Sequence, residues 1–299
     1  MKLSIIIVSF NTQELLSACL DSLSKNYLSQ LAKKEFEVIV VDNKSSDHSI
    51  QMIEKDFPQV MLIKNSANVG FAAANNQGVK LAKGEVILFL NPDTEVPVNT
   101  LGVILDYLEK HEKVGIVTCK VLLQNGQLDD ASHRGFPTPW RAVTHFVGLG
   151  KLFPKSLFFN GYHLGYQNLD EPHEIDACAG AFLMIKRGVG RQLNWFDEDY
   201  FWYGDDLDLC FRVKKVGYKV MFLPEVEILH YKGVASGLKK HSQEISKADR
   251  EVRKMATQAR FEVMRIFYRK HYQNKYPYWL TGLVLAGIWL RQKMSEVAI

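Results

Sequence analysis

Over the first 120 residues, short apolar runs alternate with segments of helical spacing. Residues 3–10, 37–42, 60–64 and 86–90 are rich in β-branched side chains and of strand length. Between them, residues 13–25, 47–56 and 71–82 carry apolar positions at helical intervals. A further helix is predicted at 98–111 and a strand at 114–122. This alternation predicts an α/β fold, a mostly parallel sheet with crossover helices.

The pattern then loosens. Residues 124–175 are rich in Gly, Pro, His and aromatics, and predict loops and short elements. They form either an acceptor-side wall or a plain surface excursion. A strand is expected at 179–185. A helix follows Gly204, with Leu207, Leu209, Cys210, Val213 and Val216 as apolar positions and Gly217 as its stop. Val220 to Leu223 predict one more strand, ending near Pro224.

A long helix is predicted from Lys240 to His271. Ile245, Val252, Met255, Ala259, Val263, Ile266 and Phe267 share its apolar stripe, and Arg250, Arg253, Lys254, Arg260 and Arg269 take other faces. Tyr276-Pro277-Tyr278-Trp279 then precedes an apolar stretch to Leu290. Its roughly twelve residues fall short of the ~20 that cross a bilayer. Interfacial Trp and Tyr beside Arg291 and Lys293 predict a helix lying in a membrane surface. Packing on the body or on a second subunit is the alternative.

With 299 residues, the chain can bury a large core, as one large domain or two small ones. The opening apolar run is too short for a span and lacks the flanks of a signal peptide. Cys19, Cys119, Cys178 and Cys210 form no C-x-x-C, so reduced, buried thiols and a cytoplasmic setting are expected. The net charge is +4, yet from Lys239 onward 13 Lys/Arg stand against 5 Asp/Glu. A mildly acidic body with a basic tail predicts a surface-binding tail and no nucleic-acid footprint.

The candidate chemistry sits where apolar runs end. The fourth run stops at Asn91-Pro92-Asp93, delivering a carboxylate at a strand tip, the edge where open α/β sheets bind ligands. One such carboxylate suits Mg²⁺ or Mn²⁺ when substrate phosphates supply further ligands; an ordinary turn is the plain reading. The second run ends at Asp42-Asn43, and Ser46 and Asp47 are placed to cap the next helix. The first ends at Ser9-Phe10-Asn11. Gly70 opens an Ala-rich helix whose amides could receive a phosphate. Asp205-Asp206 follows a cluster of aromatics, among them Trp202 and Tyr203, that could form a sugar-binding wall. A carboxylate there could take a proton from an acceptor hydroxyl, or simply favour a helix start. His230 could join Asp93 at a metal. No G-x-G-x-x-G or P-loop lysine follows the first strand, which removes dinucleotide-binding and nucleotidyl-transfer readings.

Seven stretches occur together in order: Ser4 to Asn11, Val40 to Asp47, Asn68 to Asn76, Leu88 to Asp93, Gly180 to Met184, Gly204 to Arg212 and His230 to Gly233. In this, the chain resembles glycosyltransferase family 2 enzymes of GT-A fold, and most of all their rhamnosyltransferase-like branch in surface-polysaccharide synthesis. The resemblance covers residues 3–236. It implies a GT-A domain over 1–238, with a nucleotide-binding part to 120 and an acceptor-binding part beyond, and a basic helical extension over 239–299. It implies nucleotide contacts from Ser9, Asn11, Asp42, Asn43, Gly70, Asn75, Asn91 and Asp93. It implies a divalent ion at Asp93 and His230, and an acceptor wall at Trp202 and Tyr203. Asp206 would be the catalytic base, with Asp205 where a Glu is usual. Asn91 departs from the commonest Asp-x-Asp form and leaves fewer carboxylates for the ion. The implied reaction is inverting transfer, with dTDP-rhamnose as the leading donor and UDP- or GDP-sugars as alternatives. The implied acceptor is a glycan or polyprenyl-diphosphate-linked sugar at the inner face of the cell membrane. A homodimer is compatible with the tail helix. A non-catalytic nucleotide-sugar-binding protein of a membrane assembly is the rival reading.

Overall fold

Strand β1, Leu3–Ser9, is buried at all seven positions. That is why its sequence is nearly continuous in apolar residues rather than alternating: the sheet is covered on both faces. Leu3, Ile5 and Ile7 enter one core and Ile6 the other. The computed structural model describes residues 1–231 and 250–297.

After β1 come α1 (Gln13–Asn26), α2 (Leu28–Ala32), β2 (Phe36–Asp42), α3 (Ser49–Asp56), β3 (Met61–Lys64), α4 (Phe71–Leu81) and β4 (Val86–Leu90). Then follow β5 (Thr94–Glu95), α5 (Thr100–Lys110), β6 (Val114–Leu123), α6 (Pro139–Phe146), α7 (Leu149–Leu152), β7 (His173–Ile175) and β8 (Phe182–Lys186). The chain continues through α8 (Arg187–Gln192), α9 (Asp205–Lys215), β9 (Lys219–His230), α10 (Arg250–His271) and α11 (Tyr278–Val297).

One nine-stranded sheet carries the order β3-β2-β1-β4-β8-β6-β9-β5, with β7 beside β9. β3, β2, β1 and β4 are parallel. β8 runs antiparallel between β4 and β6. Helices α1, α3 and α5 cover one face through Leu16, Leu20, Leu23, Ile53, Leu101 and Ile104. α4, α8, α9 and α10 cover the other, where Phe89 and Phe196 meet edge to face at 4.5 Å.

One sequence expectation changes. The predicted strand at 220–223 continues to His230. Opposite Cys119 and Lys120 its partner jumps from Leu223 to Glu227, and Pro224 sits in that irregularity, where a missing N–H does no harm. The loosely patterned 124–175 segment holds short elements among loops, as expected: α6, α7 and β7. α6 begins at Pro139 with the Thr138 hydroxyl accepting from Arg141 N. The predicted start of the long helix, with Ile245, lies outside the described residues.

All four cysteines are buried and free. Among the described residues, no helix is long and apolar enough to cross a membrane. α11 packs against α10 and the core through Thr281, Val284 and Leu285. The Tyr268 and Thr281 hydroxyls are bonded at 3.1 Å. Two basic side chains at the end of α10 meet acidic partners on the body. Lys270 pairs with Asp197 and Asp199, and His271 Nε2 lies 2.7 Å from Asp208.

Candidate active site

The sheet register collects four chain ends on one edge. Ser9 pairs with Asp42 at the tips of β1 and β2. Ile7 pairs with Leu90, so Asn91 and Asp93 emerge beside them. Leu90 also pairs with Phe182, which places the antiparallel start of β8 at the same edge. Asn91 N donates to Ala181 O at 3.2 Å, and Gly180 N donates to Asp206 Oδ2 at 3.1 Å. Asn91 and Asp206 are thereby two hydrogen bonds apart, through Gly180-Ala181.

At the β1–β2 end the loops are tied together. Asn11, at φ +54°, accepts Ser46 N at 2.7 Å, and its own N–H donates to Ser45 Oγ. Asp42 is fully buried; Oδ1 accepts from Ser45 N, while Oδ2 has no partner. A buried carboxylate oxygen without a donor is costly, and a ligand N–H or hydroxyl would satisfy it. Asp47 caps more than expected: one oxygen takes Gln13 N of α1, the other Ser49 N of α3. Ser9 Oγ is buried and bonded to Thr12 Oγ1.

Three predicted nucleotide contacts are placed otherwise than the sequence suggested. Asn43 engages both ends of its amide, donating to Asn68 Oδ1 and Gly70 O and accepting from Asn65 Nδ2 and Val69 N. It braces the 65–70 loop. Asn75 is fully buried and donates to Phe71 O of its own helix. Gly70, at φ +85°, is required by a close approach to protein: a Cβ there would lie 2.7 Å from Phe201 O. That carbonyl accepts Phe71 N at 2.9 Å, so the first turn of α4 already holds an acceptor.

Asp93 and His230 are brought together. His230 Nε2 lies 3.3 Å from Asp93 Oδ1, and Nδ1 lies 3.1 Å from Asp129 Oδ2. Pairing of Thr94 with His230 across β5 and β9 sets this contact. Burial alone would lower the imidazole pKa, but the Asp93 and Asp129 carboxylates outweigh it and raise it to about 9. Asp129 also accepts Ala131 N at 2.9 Å, which fixes its carboxylate.

Asp206 accepts from Arg134 Nη2 at 3.1 Å, from Gly180 N and from Leu207 N at 2.6 Å. Asp205 is buried, with Oδ2 unpartnered. Desolvation, then the Asp206 charge, push its carboxyl pKa well above the usual range. Trp202 and Tyr203 stack at 6.0 Å in the turn before α9. Gly204, at φ +83°, ends that turn, and Val263 of α10 packs where its Cβ would be.

Sequence reasoning missed Asp129 and Arg134. Both come from the segment after β6, which has neither period to read. The donor set at Asp93 fits a divalent cation: a carboxylate and an imidazole face one another, and Asp129 holds the far ring nitrogen, the usual support of a ligating His. Among the described residues no cluster of three or more His, Cys, Asp or Glu is arranged for a metal, so substrate oxygens would have to complete any shell.

A family model described as Glycosyl transferase family 2 matches residues 4–192. The N-acetylglucosaminyl-diphospho-decaprenol L-rhamnosyltransferase of Mycobacterium tuberculosis is 27% identical over 224 residues, covering 70% of this chain and 71% of that protein. Rhamnosyltransferase WbbL of Escherichia coli is 26% identical over 234 residues, covering 76% and 82%. Among solved structures, the mannosyltransferase PcManGT from Pyrobaculum calidifontis, in complex with GDP-Man and Mn²⁺, superposes with TM-score 0.58 at 18% identity. That match covers 90% of this chain and 64% of the other, and shows the fold, the GT-A arrangement.

Proposed function

From the premise that this chain belongs to glycosyl transferase family 2, we propose that it moves L-rhamnose from dTDP-rhamnose to a hydroxyl of a polyprenyl-diphosphate-linked sugar, with inversion. The observation that carries the catalytic part is the placement of Asp206. Its carboxylate is anchored to Gly180 N, next to Ala181, whose carbonyl accepts Asn91 N at the end of β4.

The residues divide the work. Asp42 offers its unpartnered Oδ2 to a donor on the base or ribose. Asn11 and Ser9 shape the same end. Asp93 and His230 would hold a Mg²⁺ or Mn²⁺ ion, which when bound offsets charge on the leaving diphosphate. Arg134 and two backbone N–H groups fix the Asp206 carboxyl group in place. Asp206 takes the acceptor's hydroxyl proton onto a carboxylate oxygen as that hydroxyl attacks the anomeric carbon opposite the nucleotide. Trp202 and Tyr203 offer stacked faces to the acceptor sugar. The lipid-linked acceptor is supported by the named substrate of the mycobacterial relative, and by the basic tail. It would place the enzyme at the cytoplasmic face of the membrane.

Thermal shift with dTDP-, UDP- and GDP-sugars, with and without Mg²⁺ or Mn²⁺, tests the donor. A metal-dependent shift with dTDP-rhamnose is expected; a shift confined to UDP- or GDP-sugars replaces the donor. Single-turnover transfer to a diphosphate-linked N-acetylglucosamine acceptor then separates an enzyme from a mere binder.

A further inference from the structure

The excursion between β6 and β7 is folded rather than slack. Trp140 packs against Phe158 with the rings tilted, centroids 4.8 Å apart, and donates its indole N–H to Phe158 O at 2.9 Å. Asn160 closes the same arm by donating to Pro154 O at 2.7 Å. Yet the arm turns large apolar side chains outward. Leu152 is 69% exposed, Val147 and Leu157 64%, and Phe158 62%. Apolar residues on a self-braced arm require something to cover them.

α11 repeats the pattern. Its inward positions Thr281, Val284 and Leu285 pack on the body. The outward ones, Trp279, Leu283, Leu290 and Met294, are exposed, where a helix packed on one side normally carries polar groups. The two surfaces adjoin, because the Arg291 guanidinium lies over the Phe146 ring, 4.5 Å from its centroid.

The charge around this surface is mostly positive, although Lys293 pairs with Glu296 at 3.0 Å. No Asp or Glu occurs between Asp130 and Asp170, whereas Lys151 and Lys155 are exposed on the arm. α11 adds exposed Arg291 and Lys293, and carries no acidic residue before Glu296. An apolar surface with a cationic rim and Trp at its margin matches a bilayer interface with anionic headgroups. A second copy of the chain would bring the same positive rim against itself.

We propose that the 139–158 arm and the outer face of α11 together form one docking surface for an anionic bilayer, with Leu152, Leu157, Leu283 and Leu290 entering the acyl boundary. Two contacts fix orientation where a single helix would leave rotation free. The proposal gives the lipid-linked acceptor reading its geometry and rests on that reading for its purpose; its test does not.

The test is co-sedimentation of the full chain with vesicles of phosphatidylcholine alone and of phosphatidylcholine with phosphatidylglycerol. The expected result is binding to the anionic vesicles. It should fall roughly tenfold or more in Leu152→Glu/Leu157→Glu and equally in Leu283→Glu/Leu290→Glu. Val98→Glu, an exposed site before α5 on the other layer, should bind as the parent does. Circular dichroism and the nucleotide-sugar thermal shift, run on every variant, confirm the fold and report the donor site separately. Loss of donor shift in the parent would sink the transferase reading and leave the docking result standing. Absence of vesicle binding by the parent overturns the docking surface. So does an arm variant that binds normally, or a parental dimer that the arm variant dissociates.

Discussion

His230 Nε2 stands 3.3 Å from Asp93 Oδ1, at the tip of β9 and beside the end of β4. Asp129 holds the opposite ring nitrogen. The imidazole pKa is raised to about 9, against about 6.5 for an unperturbed His. A raised folded pKa contributes stability that is complete below the unfolded value and is lost as pH climbs through about 9. In the metal-free chain, NMR titration of His230 should therefore show a midpoint well above the ordinary one. Asp129→Asn should bring it down, and should shrink the stability lost between neutral pH and pH 9. An unchanged midpoint would mean that Asp93 alone sets it.

Asp206→Asn should fold and retain the nucleotide-sugar thermal shift, while losing about 10²–10⁴-fold in transfer rate. Asp205→Asn alters a carboxyl that is buried behind Asp206, and should cost far less. Single-turnover rates of the two variants check this. Near-normal transfer by Asp206→Asn would remove it as the base.

Asp208 should report on acid stability. Burial pushes its carboxyl up, but the His271 hydrogen bond and the Arg212 guanidinium outweigh burial and leave it below the ordinary value. Its contribution is present above the unfolded pKa of about 3.9 and disappears as pH falls through the lower folded one. Asp208→Asn should lower the melting temperature at pH 7, with the difference from the parent narrowing toward pH 3. Equal loss at both pH values would assign the effect to packing.

Gly70→Ala should destabilise by about 1–3 kcal/mol. The backbone there is left-handed at φ +85°, and the new methyl would meet Phe201 O at 2.7 Å. Urea unfolding measures the cost. Relief of the clash would also move the 201–204 turn, so transfer should weaken together with stability.

The parallel half of the fold was legible because strands buried on both faces read as unbroken apolar runs, each stopped by a polar tip. Asp42 and Asp93 stood out for that reason; Asp206 stood out as one of two adjacent carboxylates after Gly204 and a cluster of aromatics. β8 was read as a strand, but its place between β4 and β6 depends on a long-range antiparallel pairing that leaves no local period. Pro224 resembled a strand end because the bulge that tolerates it exists only against β6. Asp129 and Arg134 are spaced by no repeat, so only the folded sheet shows what they face. The positive tail favoured a surface-binding role, with packing on the body as the alternative. Its His271 and Lys270 in fact meet acidic residues at and before α9, charges some sixty to seventy positions earlier in the chain.

The position of β8 also bears on how the molecule is made. β6, residues Val114–Leu123, has β8 on one side and β9 on the other. Both partners leave the ribosome after it. Until Lys186 has emerged, β4 lacks its outer neighbour, and β6 has two open edges rich in Val and Ile. Such edges in a nascent chain pair readily with other chains. A gene fragment ending near residue 120 would therefore yield an unfinished sheet that needs a chaperone's cover, and the half that is translated first is closed last.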